Sequence, residues 1–204
     1  MIRILLDGEL SIPLDKALSI AAVVVQEQLT VSPQTLLDLR QFITERLKHF
    51  LREQSYDTSL INAALDAPLG TLPDLVTRLN ALNEFMTHEA AASLAASNKR
   101  IGNILRKSEV VNEGTINEDI LIIDEERLVF EEISRISENL EFLYQQGDYA
   151  EALRLLAGLS PSIEAFFDKV MVMDDNLEIR QNRLNLLARL KGLFDRVANL
   201  ALIG

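Results

Sequence analysis

The 204-residue chain has no cysteine and no tryptophan. Without cysteine there can be no disulfide and no thiolate chemistry, which fits a reducing compartment. The other aromatics are few, three Tyr and eight Phe, which argues against a large platform of rings for stacked bases. His49 and His88 are the only histidines, and no acidic cluster stands at metal-ligand spacing from either. A zinc site and a His-based triad are therefore not expected. A Gly-rich phosphate loop and a nucleophile–base pair are also missing, so a free-standing enzyme is a poor reading. The longest apolar run, Ile20–Val25, is far short of the ~20 residues that span a bilayer. Met1-Ile2-Arg3 opens directly into apolar helix-like sequence, without the charged start and cleavage site of a signal peptide. A start inside such a pattern is expected of a fragment excised from a longer protein.

What is present suffices for a core. The chain is 48% hydrophobic, and its length allows one domain or two small ones. Its formal net charge of −11 argues against non-specific nucleic-acid binding, which needs clustered cations. The charge is uneven, however. Glu113 to Glu141 is densely acidic, with only Arg127 and Arg135 as bases, whereas Asn98 to Lys107 holds Lys99, Arg100, Arg106 and Lys107 and no acid. A local patch, not the net charge, decides what binds.

The periodicity is helical throughout, and neither alternating apolar runs nor Asn-Gly hairpin turns occur. The expected fold is all-α. Ile2–Leu10 reads as a helix end broken near Gly8. Pro13–Leu29 carries Leu14, Leu18, Ala21, Val25 and Leu29 on one face. Ser32-Pro33 starts a helix with Leu36, Leu39, Ile43, Leu47 and Phe50 inward and a basic side of Arg40, Arg46, Lys48 and Arg52. Asp57 caps Thr58–Asp66. Thr71 and Pro73 start a helix with Leu75, Leu79 and Leu82 inward. Thr87 is the expected cap of the next, which continues past Ala90–Ala96 into N-K-R-I-G-N-I-L-R-K. There Leu94, Ile101, Ile104 and Leu105 form the buried face, and Lys99, Asn103 and Arg106 point the opposite way. Arg100 and Lys107 flank that outer face, and Asn98 lies near the apolar boundary as a structural hydrogen-bonder. Ser108–Asn117 reads as an exposed loop. Asp124–Gln146 is a long acidic helix ended by Gly147, and Asp148 with Glu151 forms a capping box for Tyr149–Gly158.

The rest of the chain is organised around Ser160–Leu200. Ser160-Pro161 opens a short helix carrying Phe166 and Phe167 into the apolar run Val170–Met173, which is expected to be buried. Asp174, Asp175 and Asn176 then cap a longer helix reaching about Leu200, with Leu177, Leu184, Leu187, Leu190, Phe194 and Val197 on one face. Arg180 and Arg183 fall inside that stripe and need an acid, a carbonyl or a phosphate. Asp168, Asp174 and Asp175 are candidate partners. The alternative is an arginine held at a partner-facing edge.

A-A-S-L-A-A-S-N-K-R-I-G-N-I-L at Ala91–Leu105 and A-F-F-D-K-V-M-V-M at Ala165–Met173 together resemble the C-terminal part of the bacterial glycyl-tRNA synthetase β subunit. R-Q-N-R-L at Arg180–Leu184 and L-F-D-R-V-A at Leu193–Ala198 continue the resemblance. It implies a helical segment over 1–86 leading from the synthetase body. Residues 87–204 would be a helical anticodon-binding domain similar to that of arginyl-tRNA synthetase. It further implies binding of the anticodon arm of tRNA-Gly, with the class II aminoacylation site supplied by the α subunit. ATP and Mg would be used by the full enzyme, and no cofactor or catalytic residue would belong to this segment. The α subunit and the rest of the β subunit are the implied protein partners, in the cytoplasm and with no membrane. On this footing Lys99, Arg100, Asn103, Arg106, Lys107 and Arg183 are the expected tRNA-binding residues, with Asn103 and Arg183 nearest the bases. The acidic helix is expected to face away from the RNA. A helical protein-interaction scaffold is the competing reading, from Q-G-D-Y-A-E-A-L at Gln146–Leu153, which looks like part of a tetratricopeptide-type repeat but occurs once.

Overall fold

A computed structural model describes residues 1–26, 32–108 and 114–203. Ten α-helices follow one another among these residues: α1 (Ile2–Asp7), α2 (Leu14–Val25), α3 (Pro33–Glu53), α4 (Thr58–Asp66), α5 (Leu72–Phe85), α6 (Ala91–Lys107), α7 (Asp124–Gln146), α8 (Tyr149–Ala157), α9 (Ser160–Lys169) and α10 (Leu177–Asp195). Short 3-10 turns occupy Glu118–Ile120 and Leu200–Leu202. No strand occurs among the described residues, in agreement with the all-α expectation.

Local chemistry sets the helix starts. Ser32, Asp57, Thr71, Asp148 and Asn176 each accept a first-turn backbone N–H through the side chain, which stabilises a helix by about 1 kcal/mol. Gly147 ends α7 at φ 70°, a left-handed value that a side chain disfavours. Thr87 does not cap α6. Its hydroxyl instead donates to the Glu84 carbonyl, and the Ala90 N–H is met by His88 Nδ1.

α10 is the centre of the molecule. Asn182 to Leu187 are all buried, as are Leu190 and Phe194, because α6 and α7 both pack on it. It stops at Asp195 rather than near Leu200, because the following chain folds back on α4. The Asn199 N–H donates to the Ala63 carbonyl at 3.0 Å, and the Asn199 amide donates to Asp66 at 2.7 Å. Buried Arg78 reinforces this closure: its Nη1 lies 3.4 Å from the Ala64 carbonyl and 3.3 Å from that of Val197. One hydrophobic core consequently runs from Leu5 to Ile203. Residues on both sides of Met86 contribute to it.

Three expectations fail in the packing. In the run Val170–Met173 only Val170 and Val172 are buried, while Met171 and Met173 are exposed. Leu177 is 71% exposed, because it is the first residue of α10 and has no turn packed over it. On α2 the buried residues are Leu14, Leu18 and Ala22, not Ala21 or Val25, and on α3 Leu39 is exposed. The expected helix residue Leu29 and part of the expected Ser108–Asn117 loop lie outside the described residues.

Candidate nucleic-acid interface

α6 supplies the basic surface. Leu94, Ala95, Asn98 and Ile101 are buried on its inner side, with Ile104 and Leu105 half-buried. Asn98 donates its amide to the Leu94 carbonyl at 3.2 Å, the structural role that its position suggests. Lys99, Arg100, Asn103, Arg106 and Lys107 are all exposed. Among the described residues none of the four bases is ion-paired. Arg100 lies over the Phe167 ring at 4.2 Å, which anchors its stem while leaving its donors at the rim. Arg106 donates to the Asn103 side-chain oxygen at 2.5 Å, which leaves the Asn103 NH2 group as the outward hydrogen-bonding element.

α6 packs on α9 and α10, and the acidic α7 packs on α8, α9 and α10. Five of the six expected residues share the outer surface of α6. The sixth does not.

Arg183 is 2% exposed. Its Nε is bonded to Glu126, and its Nη1 donates to the Asp174 carboxylate at 2.7 Å and the Met171 carbonyl at 2.9 Å. With the guanidinium committed to two acids and a carbonyl, Arg183 is not available to a base, and that expectation is corrected. Asp174 was foreseeable as a partner, but Glu126 was not. Glu126 is fully buried and also accepts the Ile123 N–H at the start of α7. The Asn176 N–H, followed by Arg183, holds the Asp174 carboxyl below the ordinary carboxylate range.

Two further cation–ring pairs were not apparent in the sequence: Arg189 over Phe130 at 5.5 Å and Arg196 over Tyr144 at 4.7 Å. Phe130, Arg189 and Arg196 line a groove between α7 and α10. Arg196 is tied to Glu141 at 2.9 Å, so phosphate there would meet an acid already in place. The outer face of α6 is the better cationic surface.

The model of the DALR anticodon binding domain matches residues 94–203, from α6 to the C-terminal 3-10 turn. Proteins named glycine–tRNA ligase β subunit are similar along almost the whole chain. That of Nitrosomonas europaea is 38% identical over 98% of this chain and 30% of its own length. That of Leptothrix cholodnii is 40% identical over 98% of the chain and 28% of its own, and that of Escherichia coli (strain SE11) 35% identical over 100% and 29%. The chain thus spans under a third of the length of these relatives. The matched segment covers more than half of the chain, from within α6 through α9 and α10, so the chain belongs to the DALR anticodon-binding domain family.

Proposed function

We infer that this chain holds the anticodon arm of tRNA-Gly against the outer face of α6, as the anticodon-binding part of a glycine–tRNA ligase β subunit. The observation that carries the reading is the cluster Lys99, Arg100, Arg106 and Lys107, exposed and not ion-paired among the described residues, on a chain of net charge −11. Lys99, Arg106 and Lys107 hold phosphates and so position the arm. Arg100, anchored on Phe167, and the Asn103 amide reach towards unstacked bases and help identify the two anticodon cytosines. The acids of α7 keep phosphate off the other surface.

ATP-dependent attachment of glycine is the work of the full enzyme, in which the α subunit uses ATP and Mg in the cytoplasm. The rest of the β subunit covers the α2–α3 end. This is supported by Ile20, Val23, Val24, Leu37 and Phe42, large apolar side chains that α2 and α3 leave exposed. Titration with a tRNA-Gly transcript at two salt concentrations tests the reading. Lys99→Ala and Arg106→Ala should weaken binding and lower the salt slope by about one each. Unchanged affinity in both variants would rule out this face.

A further inference from the structure

The segment joining α9 to α10 shows large apolar side chains to solvent: Met171 is 70% exposed, Met173 47%, and Leu177 beyond them is also outside. The chain is extended at Val170, and Val170 and Val172 are buried. Val170 and Val172 turn inward and the chain bends at Val172 and Met173, which leaves the two methionines on the outside. The segment is also fixed from beneath. Arg183 binds the Met171 carbonyl and the Asp174 carboxylate, and Asp174 in turn accepts the Asn176 N–H at 2.9 Å. The methionines are thus presented on an anchored strap, so a ligand would not have to order the backbone that carries them.

The strap emerges beside the basic surface. α6 and α9 run side by side in the same direction, since Ser93 and Ser160 both donate to Glu164 and Arg100 covers Phe167 one stretch further along each helix. The chain leaving α9 at Lys169 therefore passes towards the end of α6 that carries Arg106 and Lys107. Asp168, Asp175 and Glu178 are exposed at or near the strap, against one exposed base there, Lys169. The acids would repel phosphates laid over the methionines. An uncharged, flat, polarisable group is favoured there, with its phosphate on the α6 cations.

We propose that Met171 and Met173 form the seat for an unstacked base of the anticodon loop, a reading that rests on the tRNA-binding role above. Thioethers make favourable contacts with aromatic faces and conform to their outline, and single-stranded loops offer splayed bases for such contacts. In a chain with no Trp, the strap supplies by thioether what ring platforms supply elsewhere.

The test titrates the 204-residue chain with the tRNA-Gly anticodon stem-loop, using Met171→Ser, Met173→Ser and the double variant, with Lys99→Ala as the electrostatic control. Thermal unfolding midpoints should match the parent because both methionines are solvated. Each methionine change should weaken binding about three- to tenfold. The slope of log affinity against log salt should stay the same, since no phosphate contact is lost. A stem-loop with the seated base removed should bind parent and double variant alike, as coupling through one contact requires. If Lys99→Ala weakens binding and the methionine variants do not, the seat is overturned while the tRNA-binding reading stands. Undiminished binding in all variants, or no binding by the parent, overturns both. Methionine variants that bind RNA normally but fail to assemble with the other synthetase chains would make the strap a protein contact, and this too overturns the proposal.

Discussion

At the residue scale, Arg183 illustrates how the same chemistry serves either stability or recognition. A guanidinium inside an apolar stripe must be satisfied, and here Glu126, Asp174 and the Met171 carbonyl take that role. Arg183→Ala leaves fully buried Glu126 uncompensated and should cost about 3–5 kcal/mol, read from urea denaturation. Arg183→Ala paired with Glu126→Ala should cost less than the sum of the two single changes; additive costs would contradict the coupling. Tyr149 sets a second limit. Its hydroxyl donates to Asp74 at 2.6 Å, and burial first, then that bond, push its pKa up to about 12 from 10.0. The folded state therefore binds this proton more tightly than the unfolded chain. Its contribution is intact below pH 10 and is lost as pH rises from there towards 12. Tyr149→Phe should flatten that part of the alkaline stability curve, measured by thermal unfolding against pH. Asp174 works in the opposite sense: its carboxyl is lowered, so its contribution is present above 3.8 and disappears as pH falls below it.

At the element scale, α7 was the most legible helix. Its bounds, Asp124 and Gln146, and its inward residues Val129, Ile133, Ile136, Leu140 and Leu143 follow directly from periodicity and from Gly147. Gly147→Ala forces a side chain into a left-handed conformation and should cost about 1–2 kcal/mol, measurable in the same denaturation experiment; no loss would mean that the α7–α8 turn rearranges. The outer face of α6 was equally legible, because a 17-residue helix sorts Lys99, Asn103 and Arg106 from Leu94 and Ile101 by angle alone. Three features were not. Helical projection put Arg183 inside the apolar stripe, where it needs a partner, but could not sense Glu126, 57 residues away in sequence, so the resemblance was left to suggest an RNA role for it. It read Met171 and Met173 as core, because nothing local says that the chain becomes extended at Val170. It also ran α10 on to Leu200, because the Asn199–Ala63 and Asn199–Asp66 bonds that turn the chain are long-range. Arg78 is a buried group that spacing could also have revealed, since it stands four residues after Asp74 and meets it at 3.1 Å.

At the scale of the whole molecule, one main core and a small separate cluster of Leu14, Leu18 and Ile43 between α2 and α3 hold surfaces of different character. Bases sit on α6, acids on α7, methionines on the α9–α10 strap and exposed apolar side chains on α2 and α3. The continuity of the core through Arg78 and the Asn199 bonds means that a load on α6 is transmitted to α4 and α5 without a hinge between cores. Such a body suits the proposed binding of an anticodon arm. The measurement that tests this account most directly is the affinity of the chain for two tRNA-Gly transcripts, one native and one altered at both anticodon cytosines, at low and moderate salt. The account predicts tighter binding of the native transcript, by about tenfold or more if each lost base contact costs ~1 kcal/mol, with the preference persisting as salt weakens both. Equal affinity for the two transcripts at both salt concentrations would contradict it.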